Sequence, residues 1–238
     1  MLKYEIKTKL RTSDYDKYDR IKMHSILDAF QDLAWDHAEE LNIGYSLMKE
    51  KKLIWVLVSQ EVRIVGNVPY GKEVTLRTWP AEKGRADFIR YYEIETECGD
   101  SVVEAISKWV VVNYETRRIE RASEVNYEGE LYPKRPIENI NKLKISIPHT
   151  KKFIKSYKVL NDDIDHNGHM NNARYFDMIY ELNTINDKKI KTIEISFVSE
   201  AHYNDIIHIG YYHIDNSHNF IGYVNNEICF EARFILEE

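Results

Sequence analysis

Two cysteines in 238 residues, Cys98 and Cys229, are too few for a disulfide framework or a cysteine zinc site, which fits a reducing compartment. Glycine (nine) and proline (five) are scarce as well, which excludes collagen-like and low-complexity organisation. Long apolar runs are missing: the best, LIWVLV at Leu53–Val58, is far short of the roughly 20 residues that cross a bilayer. The start, MLKYEIKTKL, alternates like a strand and has no apolar signal-peptide core. These absences predict a cytoplasmic protein without stable membrane insertion. Excess positive charge is also absent, and a net charge of −6 argues against a general nucleic-acid binder.

What is present is ordinary for a globular chain, 43% hydrophobic and 30% charged, and long enough for one large or two ordinary domains. The charge is uneven. From Lys134 to Lys158 eight Lys or Arg face one acid, Glu138, so this stretch is +7 and the remainder −13. Pro133, Pro136 and Pro148 fall in or beside it, and proline punctuation with a charge shift reads as a linker. The expected organisation is a first domain over 1–132, a basic linker over 133–150 and a second domain over 151–238.

Before the linker, Ser25 with Asp28 three places on suggests a helix start. Ile26, Phe30, Leu33, Ala34, His37 and Leu41 give one apolar face, and Gly44 ends the helix. Strands are predicted at Trp55–Val65, Glu73–Trp79, Asp87–Glu97 and Val102–Asn113 from their Val, Ile, Tyr, Phe and Trp content. After the linker the plan recurs: a strand at Phe153–Leu160, a helix from about Asn171 to Asn183, and strands at Thr192–Val198, Ile206–Ile214, Phe220–Val224 and Ile228–Leu236. Val62–Leu76 aligns with Ile195–Ile209 at a shift of 133, matching Val65 with Val198 and Tyr70 with Tyr203, and setting Asn67 opposite Glu200. The fold class is α+β, a duplicated unit in which an antiparallel sheet wraps a helix.

The second helix is preceded by DDIDHNGHMNNARY. Asp163, Asp165, Asn167 and Gly168 hold the first, third, fifth and sixth places of a calcium loop, but the twelfth is Arg174 where a bidentate Glu is required. The flank, KFIKSYKVL, is strand and not helix. Calcium is therefore rejected, and no metal or other cofactor is expected.

DIDHNGHMNNARY (Asp163–Tyr175) resembles the D-x-D-x-N-x-H-x-N-N segment of the acyl-acyl carrier protein thioesterases, plant-type and bacterial, of double hotdog fold. SEA (Ser199–Ala201) and SKWVVVNYETRR (Ser107–Arg118) support the resemblance, which covers nearly the whole chain. It implies two tandem hotdog domains, the first on the acyl-chain side and the second catalytic. It implies Asp165, Asn167, His169 and Glu200 as catalytic residues, and a fatty acyl-phosphopantetheine on acyl carrier protein as substrate. Two positions depart from the pattern. Ala201 stands where plant members often carry a cysteine, and Asn113 where an aspartate is more usual.

Thioester hydrolysis needs a nucleophile, donors for the carbonyl oxygen and a proton for the departing thiol. With no cysteine beside Glu200 and no G-x-S-x-G, water is the economical nucleophile. Glu200 or His169 can deprotonate it, Asn167 can place water or carbonyl, and Asp165 can orient either neighbour. The start of the Asn171 helix is expected to offer unpaired N–H groups to the oxyanion. Plainer readings stand beside these: Asp163, Asp165 and Asn167 are also what turns prefer, and His202, His208, His213 and His218 read as surface residues. Phe30, Leu33 and Trp35 read as core, and both cysteines as bystanders. Competing functions are an acyl-CoA thioesterase and a non-catalytic acyl-binding protein. A homodimer is compatible with the sequence without being required by it.

Overall fold

The structure, a computed structural model, describes residues 1–146, 153–182, 185 and 188–237. The described chain groups into two compact units, Met1–Lys22 with Asp28–Ile140, and Met23–Leu27 with Asn141–Glu238.

In the first unit, β1 (Tyr4–Lys9) precedes α1 (Met23–Glu40), whose residues Met23–Leu27 group with the second unit, and α2 (Tyr45–Lys51). There follow β2 (Leu53–Ile64), β3 (Glu73–Pro80), β4 (Asp87–Thr96), β5 (Ser101–Asn113) and the two-residue β6 (Arg118–Ile119). The antiparallel sheet runs β1-β3-β4-β5-β2, with β6 on β5. The predicted helix face is the one buried: Phe30, Leu33 and His37 are each 1% exposed, and Phe30 stacks on Tyr92 of β4. Two local details differ from expectation. The helix starts two residues before Ser25, whose hydroxyl is buried without a hydrogen-bond partner and caps nothing. Gly44 does end the apolar periodicity, but it precedes a second short helix, α2, where strand was expected next.

The second unit repeats the plan with β7 (Phe153–Lys158), α3 (Arg174–Tyr180), β8 (Ile190–Phe197), β9 (Ile206–Ile214), β10 (Ser217–Val224) and β11 (Glu227–Leu236). Its antiparallel sheet runs β7-β9-β10-β11-β8, the same order as in the first unit. Tyr175 of α3 packs edge-on against Phe197 of β8 and Phe230 of β11, with ring centroids 5.4 and 5.2 Å away. This helix is shorter than the Asn171–Asn183 predicted. Asn171 to Ala173 are held in turns ahead of it, and Asn183 lies outside the described residues.

Between Lys134 and Ile145 the basic stretch is anchored by buried apolar side chains. Ile137 and Ile140 are buried against Trp79, Tyr91 and Ile106, and the Trp79 indole N–H donates to the Lys134 carbonyl at 2.8 Å. Leu143 and Ile145 are buried against Tyr212, Ile221 and Tyr223. Their N–H groups donate to Ser196 Oγ and Glu231 Oε1, both at 2.8 Å. Apolar side chains seat each segment on its own sheet, Lys142 and Lys144 stay outside, and Lys134 reaches the buried carboxylate of Glu93. Pro148, Lys151 and Lys152 lie outside the described residues.

Candidate active site

The loop between β7 and α3 is built by two aspartates with different tasks. Asp163, 8% exposed, closes a short 3-10 turn (Asn161–Asp163): its Oδ2 accepts from the Leu160 N–H at 2.7 Å and the Tyr157 hydroxyl at 2.8 Å. Asp165 then shapes the turn that carries the amide and the imidazole. Its Oδ1 accepts from the Asn167 N–H at 2.8 Å, and its backbone pairs with His169 and Gly168. Gly168 sits at φ +84°, a conformation that glycine adopts without the steric cost a Cβ would bring. Asp165 Oδ2 is 3.5 Å from the Asn167 side-chain amide, so the carboxylate restrains Asn167 and the loop rather than the His169 ring.

Backbone bonds bring the second segment in. Ile164 and Met170 form a bridge, and the Met170 N–H donates to the Ala201 carbonyl at 2.8 Å. Tyr175 secures the same residue from the other side. Burial pushes its phenol pKa up, against a backbone hydrogen bond with Ala201 that pulls it down. With Ala201 held, Glu200 meets the loop: His169 Nε2 lies 3.2 Å from Glu200 Oε2, both partly exposed. A third neighbour, His202, reads from the sequence as a surface residue. The His202 ring stands edge-on to His169, centroids 4.9 Å apart, and one donor atom from each of His169, Glu200 and His202 lies within 4.8 Å of the others. Its place two residues after Glu200 is the signal that was available.

Three of the N–H groups expected to be open at the helix start are engaged. Helix α3 begins at Arg174, and the N–H groups of Asn171, Ala173 and Arg174 are taken by the Asp163 carbonyl, Asn171 Oδ1 and the Asn171 carbonyl. The tight turn that places the loop consumes them. Arg174 in turn donates to Asp177 Oδ2 at 2.8 Å, and Asp177 also pairs with His24.

The loop has a structural twin in the first unit, missed in the sequence. Asp14 closes the turn Thr12–Asp14 by accepting from the Arg11 N–H at 2.7 Å; Asp16 accepts from the Tyr18 N–H at 2.8 Å; Tyr15 and Ile21 bridge as Ile164 and Met170 do. At the places of Asn167 and His169 stand Tyr18 and Arg20, and Arg20 fastens onto Asp16 Oδ2 at 2.7 Å. The scaffold is duplicated and its chemistry is not.

Residues 1–128 match the acyl-ACP thioesterase N-terminal domain and residues 146–230 the acyl-ACP thioesterase C-terminal domain. The chain belongs to the acyl-ACP thioesterase family. It is 25% identical over 210 residues to the oleoyl-acyl carrier protein thioesterase of Coriandrum sativum, covering 78% of this chain and 56% of that one. The corresponding figures for oleoyl-acyl carrier protein thioesterase 1 of Arabidopsis thaliana are 23% over 229 residues, 87% and 62%. The chain thus spans a little more than half the length of these plant proteins, both described as chloroplastic. Among solved structures, an acyl-ACP thioesterase from Bacteroides thetaiotaomicron superposes with a TM-score of 0.87 at 21% identity, covering 99% of this chain and 98% of that one. The 12:0-ACP thioesterase from Umbellularia californica does so with 0.85 at 16% identity, covering 100% and 98%. The α+β architecture of tandem hotdog units is the fold of this family.

Proposed function

We propose that this acyl-ACP thioesterase family member hydrolyses the thioester of a fatty acyl chain on acyl carrier protein, releasing the fatty acid and the carrier thiol, with water as nucleophile. The observation that carries the reading is the His169 Nε2–Glu200 Oε2 pair at 3.2 Å, set beside the Asp165-shaped turn that presents Asn167. A carboxylate and an imidazole in contact can remove a proton from water and deliver one to the departing sulfur. The oxygen of that water bonds to the carbonyl carbon, negative charge collects on the carbonyl oxygen, and the carbon–sulfur bond breaks as the sulfur is protonated. Asn167 is the side-chain donor for that oxygen, since the N–H groups of Asn171, Ala173 and Arg174 are engaged. Asp165 acts through Asn167 and the loop, as a positioning residue.

Covalent catalysis by cysteine finds no support. Ala201 follows Glu200, Cys98 lies in the β4–β5 turn, and burial pushes the Cys229 thiol up to about 12, leaving it protonated at neutral pH. The division of labour we assign is acyl-chain side to residues 1–132 and catalysis to 151–238, since only the second loop carries an amide, an imidazole and a carboxylate. No helix among the described residues is long and apolar enough to cross a membrane. The two free cysteines suit a cytoplasmic setting. A hydrolysis panel of carrier-protein and coenzyme A thioesters of medium to long chain length tests the reading. Faster turnover of carrier-protein thioesters is expected. Preference for coenzyme A would move the activity to that carrier, and binding without turnover would make this an acyl-binding protein.

A further inference from the structure

We infer that His169, Glu200 and His202 form a site for a zinc-type divalent cation, and that occupying it switches hydrolysis off. The donor set is two imidazoles and one carboxylate on two adjoining loops, with one donor atom from each residue within 4.8 Å of the others. Imidazole donors favour zinc and its late-transition neighbours over calcium and magnesium, which prefer all-oxygen shells. Donors at about 2.1 Å from a tetrahedral zinc stand roughly 3.4 Å apart. The His169–Glu200 pair is already there at 3.2 Å, and the exposed His202, edge-on to His169, must swing in to complete the set. Only one ligand therefore needs to move, and it is a surface side chain free of core packing.

The consequence is inhibition. A cation bound this way takes the His169 lone pair and one oxygen of Glu200 and draws charge from the other, so the pair loses the basicity that accepts the proton of water and passes one to sulfur. A site that closes only around its ion holds it reversibly, because the reorganisation of His202 is subtracted from the affinity. Binding does not depend on the activity proposed above; the inhibitory arm does, and the two are measured separately.

The test uses the full chain, zinc chloride as ligand, and His202→Ala, an exposed change outside the proposed catalytic set. Calorimetry on the wild type should show one zinc site that competes with a chelator, and His202→Ala should weaken it at least about tenfold. In the hydrolysis assay zinc should inhibit the wild type, and His202→Ala should need at least about tenfold more zinc while keeping its chelator-treated rate. A wild type that binds no zinc, a His202→Ala protein that binds as well, or stimulation in place of inhibition would each overturn the proposal. A second histidine pair, His213 and His218, has ring centroids 4.8 Å apart. Binding lost in His213→Ala and kept in His202→Ala would put the ion there and defeat the inference. Should no thioester be turned over at all, calorimetry still decides the site.

Discussion

Acidification should destabilise the first unit through His37. This residue, 1% exposed on α1, accepts at Nδ1 a hydrogen bond from Arg90 Nη1 at 2.9 Å and stacks on Tyr4. Arg90 is itself buried and also donates to Thr78 Oγ1 at 3.1 Å. Protonating His37 would remove the acceptor and set two cations in contact away from water. Burial first, and the Arg90 charge second, depress its pKa from 6.5 to about 3. Between these values the unfolded chain binds a proton that the folded chain refuses, so the contribution is complete above pH 6.5 and is lost as pH falls toward 3. At about 1.36 kcal/mol per unit, stability at pH 5 is lower by about 2 kcal/mol, or about 4–8 °C in Tm for a chain of this size. His37→Gln keeps an acceptor for Arg90 but cannot titrate. Urea unfolding of both proteins at several pH values should show the wild type losing about 2 kcal/mol more than the variant between neutrality and pH 5. Parallel pH curves would refute the reasoning, because they would mean that His37 takes its proton in the folded state as readily as in the unfolded one.

Three further outcomes follow from the proposed site. Asn167→Ala, His169→Ala and Glu200→Ala should each lower kcat by about a hundredfold or more in a folded protein; near-normal turnover in any one removes that residue from the mechanism. The Cys98→Ala, Cys229→Ala double variant should keep most of its turnover and resist thiol alkylation, whereas a folded but inactive double variant would restore covalent catalysis. Reversing Lys151, Lys152 and Lys155 to Glu should lower kcat/KM several-fold for acidic carrier-protein substrates and not for small pantetheine thioesters, and the carrier-protein rate should fall with salt. Equal losses on both substrate types would mean that these lysines do not meet the acidic carrier.

Much of this molecule is legible in its residues. The aromatic and β-branched strands were found because packing against a sheet face selects those side chains, and β9 ends where its sequence says it does. Helix α2 was missed because YSLMKEK is short, and about two turns of helix carry too little periodicity to register. The twin of the Asp163–His169 loop was hidden by a length change. Asp14 and Asp163 are 149 residues apart, whereas the strands after the helices align at a shift of 133. The difference is taken up by the longer α1 and the added α2 of the first unit, so no single offset aligns both segments. His202 reads as a plain surface residue for another reason. Its partner His169 is 33 positions away, and backbone bonds such as Met170 to Ala201 and Asn204 to Val159 bring the two loops together.

The twin loops supply an internal control for what Asp165 does. Asp16 and Asp165 make the same backbone turn, each accepting at 2.8 Å from the N–H two residues on. They differ in what holds the second oxygen: Arg20 at 2.7 Å on Asp16, the Asn167 amide at 3.5 Å on Asp165. An asparagine at either place keeps an acceptor for the turn and loses the charge. Asp16→Asn gives up an ion pair on a half-exposed loop, a loss of about 1 kcal/mol at most, with kcat unchanged. Asp165→Asn breaks no ion pair and should barely move Tm, yet it loosens the amide that faces the reacting carbonyl, which should lower kcat about tenfold to a hundredfold with little change in KM. A stability readout alone would rank Asp16 above Asp165, and a turnover readout would rank them the other way. If both variants lose stability and keep turnover, the second loop is a turn like the first, and the proposed chemistry has to rest on His169 and Glu200 without it.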